Sequence, residues 1–222
     1  KNFILKAVKE NGFCIIENFL SPKECNDTVK TLDKLLESRF LKGEYIGNNN
    51  YQVLYNYFME CPSLLNLVYN DFIFDIFSEL IDKDHVLTSA AARNKRISSK
   101  FDSKGATSGV GWHTDSRYVN QNTRVKPSFS YFAIFALEEF SKNNGATKYV
   151  PNSHSFDFRP EKEYDYDYEV LCADKGSLII LDTALFHKAG VSTKKSRWSI
   201  FNLYSSWFVK PYFQFNKMLS QK

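Results

Sequence analysis

His113 and Asp115 stand two positions apart in the stretch GWHTDSR, residues 111 to 117, and both are side chains that bind divalent metals. On a strand, residues i and i+2 project from the same face, so these two can reach one ion while Thr114 points away. Alone, the pair suits a solvated strand equally well. A third ligand must come from elsewhere in the fold, and His187 supplies it. It follows a buried-strand pattern, GSLIIL at 176 to 181, and a DTAL turn, on the next short strand. Two histidines and one carboxylate leave three adjacent metal positions open, which suits an ion that binds reactants as well as protein.

Non-haem iron(II) oxygenases use this arrangement. Ten residues after His187 lies Arg197, inside SRWSIFNLYSSWF, whose alternation reads as a long strand. An arginine there could take a carboxylate with two parallel hydrogen bonds. Asp182, five residues before His187, suits either a turn or a contact that orients a ligand. His154, beside Pro151, Asn152 and Ser153, reads as a turn residue. His85 reads as an exposed residue at a strand start.

The elements that must position these residues divide into a helical first part and a strand-rich remainder. Ser21 caps a helix with Pro22 at its first position and Glu24 three residues on, and Val29, Leu32, Leu35 and Leu36 recur at helical spacing. Residues 62 to 82 read as one or two more helices. Strands are expected around 86 to 97, 110 to 114, 128 to 137, 146 to 150, 176 to 181 and 196 to 208. No repeat or linker interrupts the chain, so 1–222 is expected to form a single domain, mainly β with packed helices.

Composition sets the outer limits. The 222 residues are 43% hydrophobic and 16% aromatic, which argues for a packed core and against disorder. A net charge of +4 is too small to mark a nucleic-acid binder by itself. Cys14, Cys25, Cys61 and Cys172 form no CxxC pair, so a reducing, cytoplasmic setting is expected. No apolar run approaches the roughly 20 residues that span a bilayer. No signal peptide is expected at the start, although the chain opens on Lys1 and an upstream segment stays open.

The order His-x-Asp, distal His, then Arg resembles the iron(II)- and 2-oxoglutarate-dependent dioxygenases, and the wider text resembles their phytanoyl-CoA dioxygenase branch. NGFCIIENFLSPKEC is similar to that branch's N-terminal strand and helix. NNGATKYVPNSHS is similar to its loop of the form NGxxxxxPGSH, with Asn152 in place of the usual glycine. The resemblance runs from about residue 8 to about residue 212.

The resemblance implies a double-stranded β-helix, the cupin-like jelly roll, with a helical part over about 1–84 and the jelly-roll core over about 85–212. It implies that His113, Asp115 and His187 ligate iron(II) and that Arg197 pairs with the distal carboxylate of 2-oxoglutarate. Oxygen would be the third reactant, and the outcome hydroxylation of an unactivated carbon with release of succinate and CO2. Related halogenases carry glycine or alanine where Asp115 stands, so its carboxylate favours hydroxylation. By approximate family position, Tyr131, Ser116 and Arg96 are further candidates to hold 2-oxoglutarate. The family's frequent hydroxyl two residues after the distal histidine is replaced here by Ala189.

A small polar metabolite is the expected substrate, with the amides and phenols of Leu41 to Phe58 lining the mouth. EKEYDYDYE, residues 161 to 169, suits either a lid or a surface loop. The basic run RNKRISSKFDSK, Arg93 to Lys104, reads as a solvated strand or a steering surface for a small anion. Nucleic-acid demethylation of the AlkB-like kind, and a jelly roll that binds a ligand without catalysis, are the alternatives. Oligomeric state is open.

Overall fold

The computed structural model describes residues 1–44, 46–48, 51–96, 111–116 and 123–220. α1 (Asn2–Asn11) ends on Gly12, whose φ of 82° is a left-handed turn that glycine makes without steric cost, and the chain runs on into β1 (Phe13–Ile16). α2 (Pro22–Leu41) begins as the sequence predicts. Ser21 Oγ accepts from the Glu24 backbone N–H, and the Glu24 carboxylate accepts from the Ser21 N–H. Ser21→Ala is expected to cost about 1 kcal/mol, read as a lower urea midpoint with an unchanged slope. An unmoved midpoint would show that this capping box contributes nothing.

β2 (Ile46–Asn48) and β3 (Tyr51–Tyr55) follow, then 3-10 turns at Tyr57–Met59 and Pro62–Leu67, and α3 (Asp71–Leu80). The remaining strands are β4 (Val86–Lys95), β5 (Ser130–Phe135), β6 (Lys148–Tyr149), β7 (Glu169–Val170), β8 (Leu178–Asp182), β9 (His187–Lys188) and β10 (Arg197–Ser205). A short α4 (Phe215–Ser220) comes last.

These strands make the two antiparallel sheets of a jelly roll. The large sheet has the order β1-β8-β5-β10-β4-β3-β2, and the small one β7-β6-β9. The part expected to be mainly helical contains, besides β1, the strand that the resemblance implied there, two strands not expected, β2 and β3; all three join the large sheet, β1 pairing with β8 and β3 with β4. The strand expected around 110 to 114 shrinks, among the described residues, to one bridge between His113 and His187.

Helices cover one face of the large sheet and the small sheet covers the other. Every residue of β5 (SYFAIF) and β8 (LIILD) is therefore buried, which is why neither run alternates. On the helical side, Leu32, Ile73 and Phe77 pack with Ala133, Phe135 and Ile180. Between the sheets, Phe132, Ile134, Ile179 and Leu181 pack with Phe140 and Tyr149. His85 is half-buried rather than exposed: its ring lies 4.7 Å from that of Phe74 and 6.1 Å from that of Tyr204.

Candidate metal centre

Backbone pairing brings the two histidines together. His113 N donates to His187 O at 3.0 Å, and His187 N to His113 O at 2.9 Å, so a residue of the GWHTD stretch lies directly across from the last of DTALFH. Asp115 is set by the turn between: its N–H donates to Thr183 O at 2.9 Å, while Thr183 is itself held by Ser130. Asp182 Oδ1 accepts from Ala184 N at 2.8 Å, so this aspartate builds the turn.

Each imidazole has its Nδ1 against a carbonyl, Gly111 O at 2.9 Å for His113 and Leu185 O at 2.8 Å for His187. A carbonyl only accepts, so Nδ1 carries the proton and a neutral ring offers Nε2 as the electron-pair donor. His187 Nε2 lies 3.4 Å from Asp115 Oδ2, and the ligand atoms of His113, Asp115 and His187 all lie within 4.8 Å of one another. Burial, with the neighbouring His187, lowers His113 to about 4, which keeps it neutral near pH 7. Burial pushes the Asp115 carboxyl up, but its close approach to His187 and the nearby charge of Arg93 prevail and hold it at about 2, so it is ionised near pH 7. Two imidazole nitrogens and one carboxylate oxygen thus face one another, a donor set that suits iron(II).

Arg197 opens β10 and is buried in the same cavity as these three residues. Its Nε donates to Asn144 O at 3.3 Å, one terminal nitrogen to Gly145 O at 2.9 Å and the other to Ser199 Oγ at 3.3 Å, and the guanidinium lies 3.7 Å over the Phe140 ring. Among the described residues this leaves one N–H on each terminal nitrogen for an anionic ligand. Burial opposes the charge, and the like charge of Arg93 adds to the opposition. An anion placed there would relieve both.

The cavity has a volume of 260 Å³. Its wall includes two cations that the sequence reading did not place at the site, Lys95 and Arg93. β4 pairs with β10 in the register Arg197↔Lys95 and Ser199↔Arg93, so the period of two turns both side chains inward beside Arg197. Arg96, expected to hold 2-oxoglutarate, lies one residue past the strand end and is exposed. From residue 97 to Lys104 the basic run lies outside the described residues.

Tyr131 is likewise displaced from its expected role. It faces the helices, stacked on Phe77 at 6.4 Å, whereas its neighbour Phe132 faces the cavity. Ser116 lines a separate recess with Trp112, Thr114 and Lys162. Ala189 lines the cavity without a hydroxyl, but Ser199 and Thr147 line it too and carry one each. Tyr51 and Tyr55 line it from β3, within the segment expected at the mouth; Tyr45, Asn49 and Asn50 lie outside the described residues. No residue of 161 to 169 lines it; Tyr166 and Tyr168 pack against Trp112 instead. His154 sits in a 3-10 turn with its Nε2 3.1 Å from Lys9 O, and Asn152 before it has a φ of 62°. That left-handed conformation favours glycine and tolerates asparagine, which explains the exchange.

The fold is shared with several solved structures. HygX from Streptomyces hygroscopicus, with nickel and 2-oxoglutarate bound, superposes with a TM-score of 0.75 at 13% identity over 96% of this chain and 90% of its own. It has also been solved with hygromycin B bound. SnoK, a non-heme alpha ketoglutarate dependent carbocyclase from nogalamycin biosynthesis, gives 0.72 at 18% identity over 100% of this chain and 90% of its own. In sequence, the uncharacterized protein Rv1501 of Mycobacterium tuberculosis is 36% identical over 80 residues, and so is its Mycobacterium bovis counterpart. That match spans 35% of this chain and only 29% of the relative. The model of the phytanoyl-CoA dioxygenase (PhyH) family reaches much further, from residue 8 to 199. Since that one match takes in His113, Asp115, His187 and Arg197 alike, the chain belongs to the phytanoyl-CoA dioxygenase family.

Proposed function

We propose that this chain is an iron(II)- and 2-oxoglutarate-dependent oxygenase that hydroxylates an unactivated carbon of a small polar molecule. The observation that carries this reading is the convergence of His113, Asp115 and His187 in the cavity that also buries Arg197. Iron bound by the triad would supply oxidation by O2, with 2-oxoglutarate leaving as succinate and CO2. The chain's own residues do the rest. The Gly111 and Leu185 carbonyls fix the histidine tautomers, and Thr183 fixes the backbone of Asp115. Arg197 and Lys95 together would hold the distal carboxylate of the cosubstrate, with Ser199 and Thr147 offering the hydroxyl that Ala189 lacks. A walled cavity of this size suits a small molecule better than a nucleic-acid strand. Among the described residues, no helix is long and apolar enough to cross a membrane.

The test is an anaerobic titration of metal-free protein with iron(II) and then 2-oxoglutarate, followed by the visible charge-transfer band of the chelated keto acid. A band is expected; its absence in folded protein would sink the reading. Lys95 adds a pH signature. Burial, then the charge of Arg197, brings its ammonium down to about 8. An anion beside it stabilises the protonated form, so binding draws in a proton near pH 8. Cosubstrate affinity should therefore be full below that pH and fall as pH rises through it. Lys95→Met should bind 2-oxoglutarate more weakly and flatten the profile. An affinity that stays level across pH 8 in the wild type would remove Lys95 from the cosubstrate end.

A further inference from the structure

The metal cavity opens into a second space. Ser89, Leu203, Tyr212 and Phe213 wall a recess of 390 Å³ that shares Tyr55, Arg93, Asp115, Phe132 and Phe201 with it. The inward residues of β4 run Lys95, Arg93, Ala91, Ser89, against Arg197, Ser199, Phe201, Leu203 on β10. Two residues advance roughly 7 Å along a strand. Arg93 therefore stands one step from the Lys95 and Arg197 end, and beyond it the recess carries the apolar side chains of Phe132, Phe201, Leu203 and Phe213 beside Ser89 and Tyr212.

Arg93 is poorly provided for by the protein. Its guanidinium lies 4.5 Å over the Phe201 ring and within hydrogen-bonding reach of Tyr51, but its Nε is buried without a partner. None of the ion pairs among the described residues includes it. A buried donor of this kind is costly unless a ligand completes it. Charge points the same way. The cavity wall carries Arg93, Lys95 and Arg197 against one carboxylate, Asp115. A divalent metal and a dianionic 2-oxoglutarate cancel one another, so they leave this surplus of two positive charges unmet.

We infer that Arg93 anchors an acidic group, a carboxylate or a phosphate, on the primary substrate, whose apolar body lies in the recess beside Phe132, Phe201 and Phe213. The inference deepens the oxygenase reading and rests on it for the word substrate. The guanidinium fork matches either acid in two parallel hydrogen bonds.

Calorimetric titration of 3-phenylpropionate, phenyl phosphate and the neutral 3-phenylpropanamide tests it. Each is run on metal-free protein and on protein loaded with nickel(II) and 2-oxoglutarate. At least one acid should bind about tenfold or more tightly than the amide, the worth of one charged hydrogen bond. The better acid tells carboxylate from phosphate. Arg93→Gln should abolish the preference and Arg93→Lys keep part of it, both with wild-type affinity for 2-oxoglutarate. Equal binding of acids and amide by the wild type, which needs no variant to fold, would overturn the inference. So would a preference that survives Arg93→Gln, or a parallel loss of 2-oxoglutarate affinity, which would move Arg93 to the cosubstrate end. Should the wild type refuse nickel and 2-oxoglutarate yet show an Arg93-dependent acid preference, the oxygenase reading fails and the anion anchor stands.

Discussion

Asp115→Ala is expected to lower iron(II) affinity by well over 100-fold and to leave no detectable succinate release. Removing a group that merely supports a ligand costs about 10- to 100-fold, and Asp115 offers the triad's one anionic donor. The fold should survive, because Asp115 is tied to Thr183 through its backbone N–H, which alanine retains. The charge change matters as much as the lost bond. In the wild type the carboxylate stays ionised down to about pH 2 in spite of burial, through its close approach to His187 and the charge of Arg93. Without it, a dication would enter a cavity walled by Arg93, Lys95 and Arg197 with no carboxylate among the lining residues. Iron binding by equilibrium dialysis and succinate release measure the two effects. Wild-type iron affinity in a folded Asp115→Ala protein would show that Asp115 is not a ligand.

Much of this site was legible because its signals are local. The Ser21, Pro22 and Glu24 pattern needs only neighbours along the chain, and the helix starts there. His113 and Asp115 declare themselves by type and spacing, and the pattern GSLIIL then DTAL puts His187 one turn beyond a buried strand. What could not be read depends on sheet register. Moving one position along β5 exchanges Tyr131 for Phe132 and so exchanges the helical side for the cavity, and composition does not distinguish the two in a strand buried on both faces. Arg93 and Lys95 sit in a run of positive charge that resembles a solvated strand. Only the pairing of β4 with β10, across about a hundred residues of chain, turns alternate members of that run into the lining of a cavity. β3 was obscured differently: it is a short strand among helices, and its partner β4 lies beyond α3 along the chain.

Arg197→Ala should raise the dissociation constant of 2-oxoglutarate by about 100-fold or more while leaving iron(II) affinity close to the wild-type value. Two hydrogen bonds from a charged donor are worth roughly 3 to 6 kcal/mol together, and each 1.4 kcal/mol is a factor of ten. Arg197→Lys separates charge from geometry. It keeps a cation but not the fork, and Lys95 already supplies a point charge beside it, so most of the loss should remain. Stability moves for different reasons. The alanine variant strips Asn144 O, Gly145 O and the Phe140 ring of their partner, but it also removes a buried cation whose charge burial opposes. These opposing changes make the unfolding temperature a poor reporter of the role, and cosubstrate binding a good one. The charge-transfer band, titrated at fixed iron(II), reads it directly. A midpoint unchanged in both variants would place the distal carboxylate on Lys95 alone, and Arg197 would then be a buried strut that joins β10 to the carbonyls of residues 144 and 145.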